Sequence, residues 1–205
     1  IAILLSCNQN KTNADDSRDR RAEREEQLLQ QKPQKPFEPS INYRISGNNA
    51  GDFKAGTPVP PYVSHLSIRK EKHTETAEGE TFETTVYTVS FKGKELLQLL
   101  PENDGKSENS PDMIGEIAVL SERFKTDKGV GINTALDDFI NAYPDYKLWY
   151  TYVSGMYVVE TPEVQAQFIL SEDDFTGTVN PTSDMTVLKR SDFKKDAKIV
   201  KIRII

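Results

Sequence analysis

Leu148-Trp-Tyr-Thr-Tyr-Val-Ser-Gly-Met-Tyr-Val-Val-Glu160 is the stretch that decides the fold class. Two aromatic and β-branched runs flank Ser154-Gly155, a dipeptide suited to a two-residue hairpin turn. With that turn, Tyr152 faces Tyr157 and Tyr150 faces Val159. Leu148 falls on the same side, so one face of the hairpin is rich in aromatics. Trp149, Thr151, Val153 and Met156 have the opposite parity. An antiparallel pair is therefore the expected unit of the sheet.

Upstream of the hairpin, residues 134–143 read as a short helix. Leu136, Phe139, Ile140 and Tyr143 recur at i, i+3, i+4 and i+7 and share one face. Thr134 as N-cap with Asp137 three residues on makes a capping box, and Pro144 ends the helix. A helix this short is marginal in water and must gain its stability by packing. Its apolar face is expected against Leu148, Tyr150, Tyr152 and Tyr157.

Working further out, residues 114–119 read as a strand, residues 164–170 alternate through Ala166, Phe168 and Leu170, and residues 199–205 form a last strand. Ile114-x-x-Ile117-x-Val119 and Ile199-x-x-Ile202-x-Ile204 share a pattern that suggests a repeated strand-containing unit. Residues 63–72 and 81–91 flank Ala77-Glu-Gly-Glu80 and read as another hairpin. Residues 95–100 fit a short helix or a strand equally, and residues 102–112 read as a polar loop. Strands come in runs rather than alternating with helices. The expected fold is α+β: a mostly antiparallel, meandering sheet with one short packed helix, spanning residues 41–205.

The N-terminal part is different material. Between residues 8 and 40 only Leu28, Leu29 and Phe37 are large and apolar. Residues 16–31 pair Asp16 with Arg20 and Arg21 with Glu25 at helical spacing, without the apolar stripe of a coiled coil. Lys32-Pro-Gln-Lys-Pro-Phe-Glu-Pro39 follows and favours polyproline II. As a flexible tether, residues 7–40 reach on the order of 30 Å.

Ahead of the tether stands Ile1-Ala-Ile-Leu-Leu-Ser-Cys7, with Leu4 three before the cysteine and Ser6 one before it. This segment resembles the lipobox of a bacterial, Bacteroidetes-like envelope lipoprotein. The resemblance implies that residues 1–6 are the remnant of a signal peptide whose earlier part precedes Ile1. It also implies that Cys7, the sole cysteine, is the lipidated N-terminus of the mature protein. Residues 114–170, with their Phe-Lys-Thr, Gly-x-Gly and Tyr-Pro elements, are similar to a module of uncharacterised bacterial envelope proteins. That likeness implies no activity. The location implied is the cell envelope, at the outer membrane, with the periplasmic or surface side left open.

Composition narrows the function classes. The chain has 205 residues and a net charge of −6, and residues 8–40 are balanced, so the folded part is the acidic one. A nucleic-acid footprint would be a basic face, so nucleic acid is not an expected partner. No run approaches the roughly 20 apolar residues of a spanning helix.

Four constellations compete for a function. Lys125, Lys128, Gly129 and Gly131 lie between a strand and a helix, a place where backbone N–H groups bind anions. The simpler reading is that the glycines permit a sharp reversal, since no Walker or dinucleotide pattern surrounds them. His65 and His73, on one strand, would stand about 26 Å apart and cannot share a metal. Glu172-Asp-Asp174 lacks the ligand alternation of a calcium loop and reads as a solvated turn. Trp149, Thr151 and Met156 form the candidate binding surface if their face is open. No cofactor, no metal and no catalytic set is expected.

The favoured function is a lipid-anchored envelope protein with a non-catalytic binding or structural role. Its partners would be the membrane, through the lipid, and an envelope protein or glycan. The alternative is a small envelope hydrolase or carbohydrate-active enzyme working with two carboxylates.

Overall fold

The computed structural model describes residues 40–77, 80–102, 110–179 and 184–205. Cys7, the tether, the tip of the first hairpin and most of the polar loop lie outside the described residues.

A nine-stranded sheet dominates residues 41–205. Its strands in chain order are β4 (Ser67–Ala77), β5 (Glu80–Phe91), β6 (Lys94–Pro101), β7 (Ile114–Val119), β9 (Lys147–Thr151), β10 (Met156–Thr161), β11 (Val164–Leu170), β12 (Met185–Val187) and β13 (Ile199–Ile204). A four-stranded sheet holds β1 (Arg44–Ser46), β2 (Asn49–Ala50), β3 (Phe53–Lys54) and β8 (Lys125–Thr126). One helix, α1 (Leu136–Ala142), lies among the described residues between β8 and β9. No helix among them is long and apolar enough to cross a membrane.

The large sheet is antiparallel throughout, but it is not a simple meander. Its order is β12-β9-β10-β11-β13-β7-β6-β5-β4. Strands β4–β7 and β9–β11 each run in chain order, which leaves β7 and β11 as facing edges. The C-terminal strand β13 fills the gap, pairing Ile202 with Val119 on one side and with Phe168 on the other. Each of those edges thereby gains a hydrogen-bonded neighbour, along Ile117–Val119 of β7 and Ala166–Leu170 of β11. The small sheet adds a further departure, because β1 and β8 are parallel.

The Ile-x-x-Ile-x-Val pattern has a local cause. In β7, Leu100 pairs with Glu116 and Pro101 with Ile114, so Gly115 is an extra residue. In β13, Ile169 pairs with Lys201 and Leu170 with Ile199, so Val200 is extra. Each bulge brings positions i and i+3 to the same face, and Ile114, Ile117, Val119, Ile199, Ile202 and Ile204 are all buried. The two strands are adjacent and antiparallel. The segment 95–100 resolves the same way as strand β6, where a third bulge at Leu96 buries both Leu96 and Leu97.

The hairpin at 148–160 keeps its predicted faces but not its predicted register. Thr151 pairs with Met156, Tyr150 with Tyr157, and Leu148 with Val159. The loop is four residues, 152–155, and Tyr152 stands exposed in it instead of on the inner face. A slip of two residues leaves every side chain on its original side, which is why the parity survived.

Helix α1 packs on the inner face, where its ring contact is with β11 and not with the expected set of Leu148, Tyr150, Tyr152 and Tyr157. Leu136, Phe139 and Tyr143 are buried, and the Phe139 ring meets Phe168 of β11 at 5.0 Å between centroids. The capping box is corrected. The helix begins after Ala135, which makes no side-chain cap. Thr134 Oγ1 instead accepts from Gly131 N at 2.9 Å, tightening the glycine loop. Asp137 is drawn to Arg190, with Nε to Oδ1 at 2.5 Å and Nη2 to Oδ2 at 3.1 Å. The Arg190 guanidinium holds the Asp137 carboxyl below the usual aspartate range. A bidentate arginine fork is a stronger partner for a carboxylate than a cap N–H.

Candidate functional site

The inner face of the large sheet is spent on the core, so functional side chains belong to its outer face. There the strand parity places Lys147, Trp149 and Thr151 on β9, Met156, Val158 and Glu160 on β10, Gln165, Gln167 and Ile169 on β11, and Arg203 on β13. Trp149, Thr151 and Met156 thus share one face, and each is half-buried.

Two distinct environments occupy this face. The first is a covered apolar strip. Val158 is fully buried and Ile169 nearly so, although neither belongs to the main core. Trp149 is the cross-strand partner of Val158 and lies beside it. Arg203 reaches Met156 Sδ at 3.8 Å and Gln167 Oε1 at 3.5 Å. The same guanidinium forks onto Glu116, with Nε to Oε1 at 2.8 Å. The Trp149 indole N–H is buried and has no acceptor among the described residues. Beside the strip, Tyr152, Val153, Met185 and Val187 are exposed.

The second environment is a recess of about 510 Å³ lined by Asp145, Lys147, Glu160, Gln165 and Gln167, with the exposed Ile205 beside them. Its origin is a break in the β10–β11 ladder. Val159 pairs with Phe168 and Thr161 with Val164, so Glu160 alone opposes residues 165–167. Excess length on one strand bends it away from its partner and opens space between them. Lys147 and Glu160 are direct cross-strand partners across β9 and β10. Even so, Asp145, Lys147, Glu160 and Gln165 make no side-chain hydrogen bond or ion pair among the described residues.

A second recess, about 400 Å³, lies at the other end of the sheet beneath Val59, Pro60, Pro61 and Pro111. Its polar groups are committed to one another. Lys70 Nζ donates to Asp112 Oδ2 at 2.8 Å, the Tyr87 hydroxyl donates to the same oxygen, and Lys70 lies over the Tyr87 ring. Lys70 first, then Tyr87, hold the Asp112 carboxyl below its ordinary range. Burial, reinforced by Asp112, pushes the Tyr87 hydroxyl up. The cluster pins residues 110–113 against β4 and β5.

The glycine loop after β8 is built into the fold. Lys125 Nζ donates to the Ile132 carbonyl at 3.0 Å. Lys128 Nζ donates to the Ala142 carbonyl at 3.0 Å and to Glu163 Oε1 at 2.7 Å. Gly129 has φ of +79°, and a Cβ at Gly131 would meet the Phe124 carbonyl oxygen at 2.3 Å. Both glycines are therefore required by the reversal itself.

The remaining candidates are placed as follows. His65 is not in a strand but in the turn before β4, at φ +67°, while His73 sits within β4. No group of three or more His, Cys, Asp or Glu residues with metal-holding geometry occurs among the described residues. Glu172–Asp174 is a 3₁₀ turn whose Asp173 N–H is capped by Ser171 Oγ at 3.3 Å. Asp145, Lys147, Glu160 and Gln165 were not singled out by sequence, and no motif marks them.

The fold and site define a mostly antiparallel β-sheet domain with one packed helix and a polar recess between central strands. No family model matches the chain, and no curated protein matches it. Among solved structures, it is similar to the crystal structure of the uncharacterized protein yfeY from Escherichia coli. That match has 17% identity and a TM-score of 0.42, covering 81% of this chain and 99% of the other.

Proposed function

We propose that this chain is a lipid-anchored cell-envelope protein with a non-catalytic binding role, its ligand held on the outer face of the sheet. Leu4-Leu-Ser-Cys7 and the polar, proline-rich residues behind it support the anchoring. The observation that carries the binding role is the unspent chemistry of the β9–β11 recess. Asp145, Lys147 and Gln165 are exposed and Glu160 is half-buried, and none of the four makes a side-chain hydrogen bond or ion pair among the described residues. They converge on one concavity of small-molecule size, where a ligand can reach them.

Two experiments test the two halves. Palmitate labelling should mark the wild-type chain and not Cys7→Ser, and equal labelling of both removes the anchor. For the binding half, changing Glu160 or Lys147 should abolish retention of an envelope ligand by the native protein while its melting temperature stays put. The second reading, a carbohydrate-active hydrolase, draws on Asp145 and Glu160 lining the same recess. Glycosidic hydrolysis lost in both Asp145→Asn and Glu160→Gln would establish it.

A further inference from the structure

Resting on the binding reading above, we infer that the β9–β11 recess takes a neutral, polyhydroxylated ligand, a short oligosaccharide. The side chains that line it differ in hydrogen-bond character in an instructive way. Asp145 and Glu160 offer acceptors only, Lys147 offers donors only, and the amides of Gln165 and Gln167 offer both. A ligand that satisfies this set must donate and accept from closely spaced atoms. Sugar hydroxyls do so, each one donating and accepting at once.

Charge argues against the main competing chemistry. Two carboxylates and one ammonium leave the recess net negative, which repels phosphate, sulfate or another anion. Strand position argues against an extended peptide. Peptides that join a sheet pair with an exposed edge, and the recess lies between β10 and β11, both of which have strand partners on their two sides. Ile205, exposed beside the recess, supplies an aliphatic surface for the C–H face of a pyranose ring. Trp149 is two residues from Lys147 on the same face of β9, about 7 Å along the strand.

Because Trp149 is the sole tryptophan, its fluorescence reports on this face alone. The test titrates the full-length protein with three neutral trisaccharides (maltotriose, cellotriose and triacetylchitotriose), with the tripeptide Gly-Gly-Gly, and with inorganic phosphate. Fluorescence and heat of binding are followed together. At least one trisaccharide should give a saturable change, phosphate none. Glu160→Gln and Gln167→Ala should each weaken that binding about tenfold, the effect of losing one good hydrogen bond. Gln165→Ala, at an exposed position, serves as the variant least able to disturb folding, and unchanged melting curves confirm that all three variants fold. Saturable binding of the tripeptide with no sugar response overturns the ligand class and leaves the binding role standing. Silence from every probe removes the recess as a binding site and both readings with it.

Discussion

The two recesses of the large sheet are similar in size and opposite in chemistry. Beneath Pro60 and Pro111, one carboxylate accepts from both a lysine and a tyrosine, so the three groups are committed to one another. In the β9–β11 recess, Lys147 of β9 and Glu160 of β10 are cross-strand partners that do not pair, and Asp145 and Gln165 beside them make no side-chain hydrogen bond among the described residues. Folding explains the first arrangement, because it ties a loop to the sheet. The groups of the second are not tied into the fold, and three of the four stand at exposed positions where a ligand can reach them. The lysines of the glycine loop belong with the first recess, as their ammoniums are committed to carbonyl oxygens of the fold.

The comparison can be broken at several points. The largest effect belongs to the core that carries both recesses. Phe139→Ala should cost roughly 3–5 kcal/mol in chemical denaturation, the usual range for a fully buried phenylalanine. A near-neutral result would detach α1 from the inner face and remove the common scaffold.

Next comes Trp149→Ala. The indole is half-buried over Val158, so about 2 kcal/mol is expected, roughly half the range for a core aromatic. A loss as large as that of Phe139→Ala would make the outer strip a second core and not a binding surface.

Asp112→Asn should cost about 1–2 kcal/mol, mostly through the Tyr87 hydroxyl, because the half-exposed Lys70 pair is screened by solvent. The pH dependence has a definite sign. The folded-state value of Asp112 is depressed, so its contribution is fully present above the ordinary aspartate range. It is lost as pH falls through the depressed value. Melting curves of wild type and Asp112→Asn should therefore differ at neutral pH and converge in acid, and a gap that widens in acid contradicts the assignment.

The smallest stability effects belong to the open recess. Lys147→Ala and Glu160→Ala should each change stability by no more than about 0.5 kcal/mol, as groups without partners do. If either substitution destabilises as much as Asp112→Asn, the two recesses are alike and the contrast between them fails.

Much of the fold was legible in the residues. Period-two alternation placed the strands, and the i, i+3, i+4, i+7 spacing placed the helix and its buried face at Leu136, Phe139 and Tyr143. Hairpin parity at 148–160 was readable because side-chain alternation is a local property. The loop length was not, because Ser154-Gly155 is compatible with a tight turn and with the end of a four-residue loop. The capping box at Thr134 failed for a related reason. A threonine and an aspartate at the right spacing make a cap only when nothing stronger competes, and Arg190, some 50 residues away in sequence, does compete.

The sequence by itself determined most of the long strands and the faces they bury, while Ile-x-x-Ile-x-Val read as a repeat and only the pairing register revealed an extra residue in each of the two strands. The strands and their faces are consequences of local geometry and of hydrophobic spacing. Only the tertiary structure decided that β13 slots between β7 and β11, that β1 and β8 run parallel, and that Asp145, Lys147, Glu160 and Gln165 meet at one recess. Pairing between distant strands is settled by which edges remain unsatisfied once the local hairpins have formed, and no single segment carries that information. The candidate site is a product of that long-range choice, which is why its residues carry no motif.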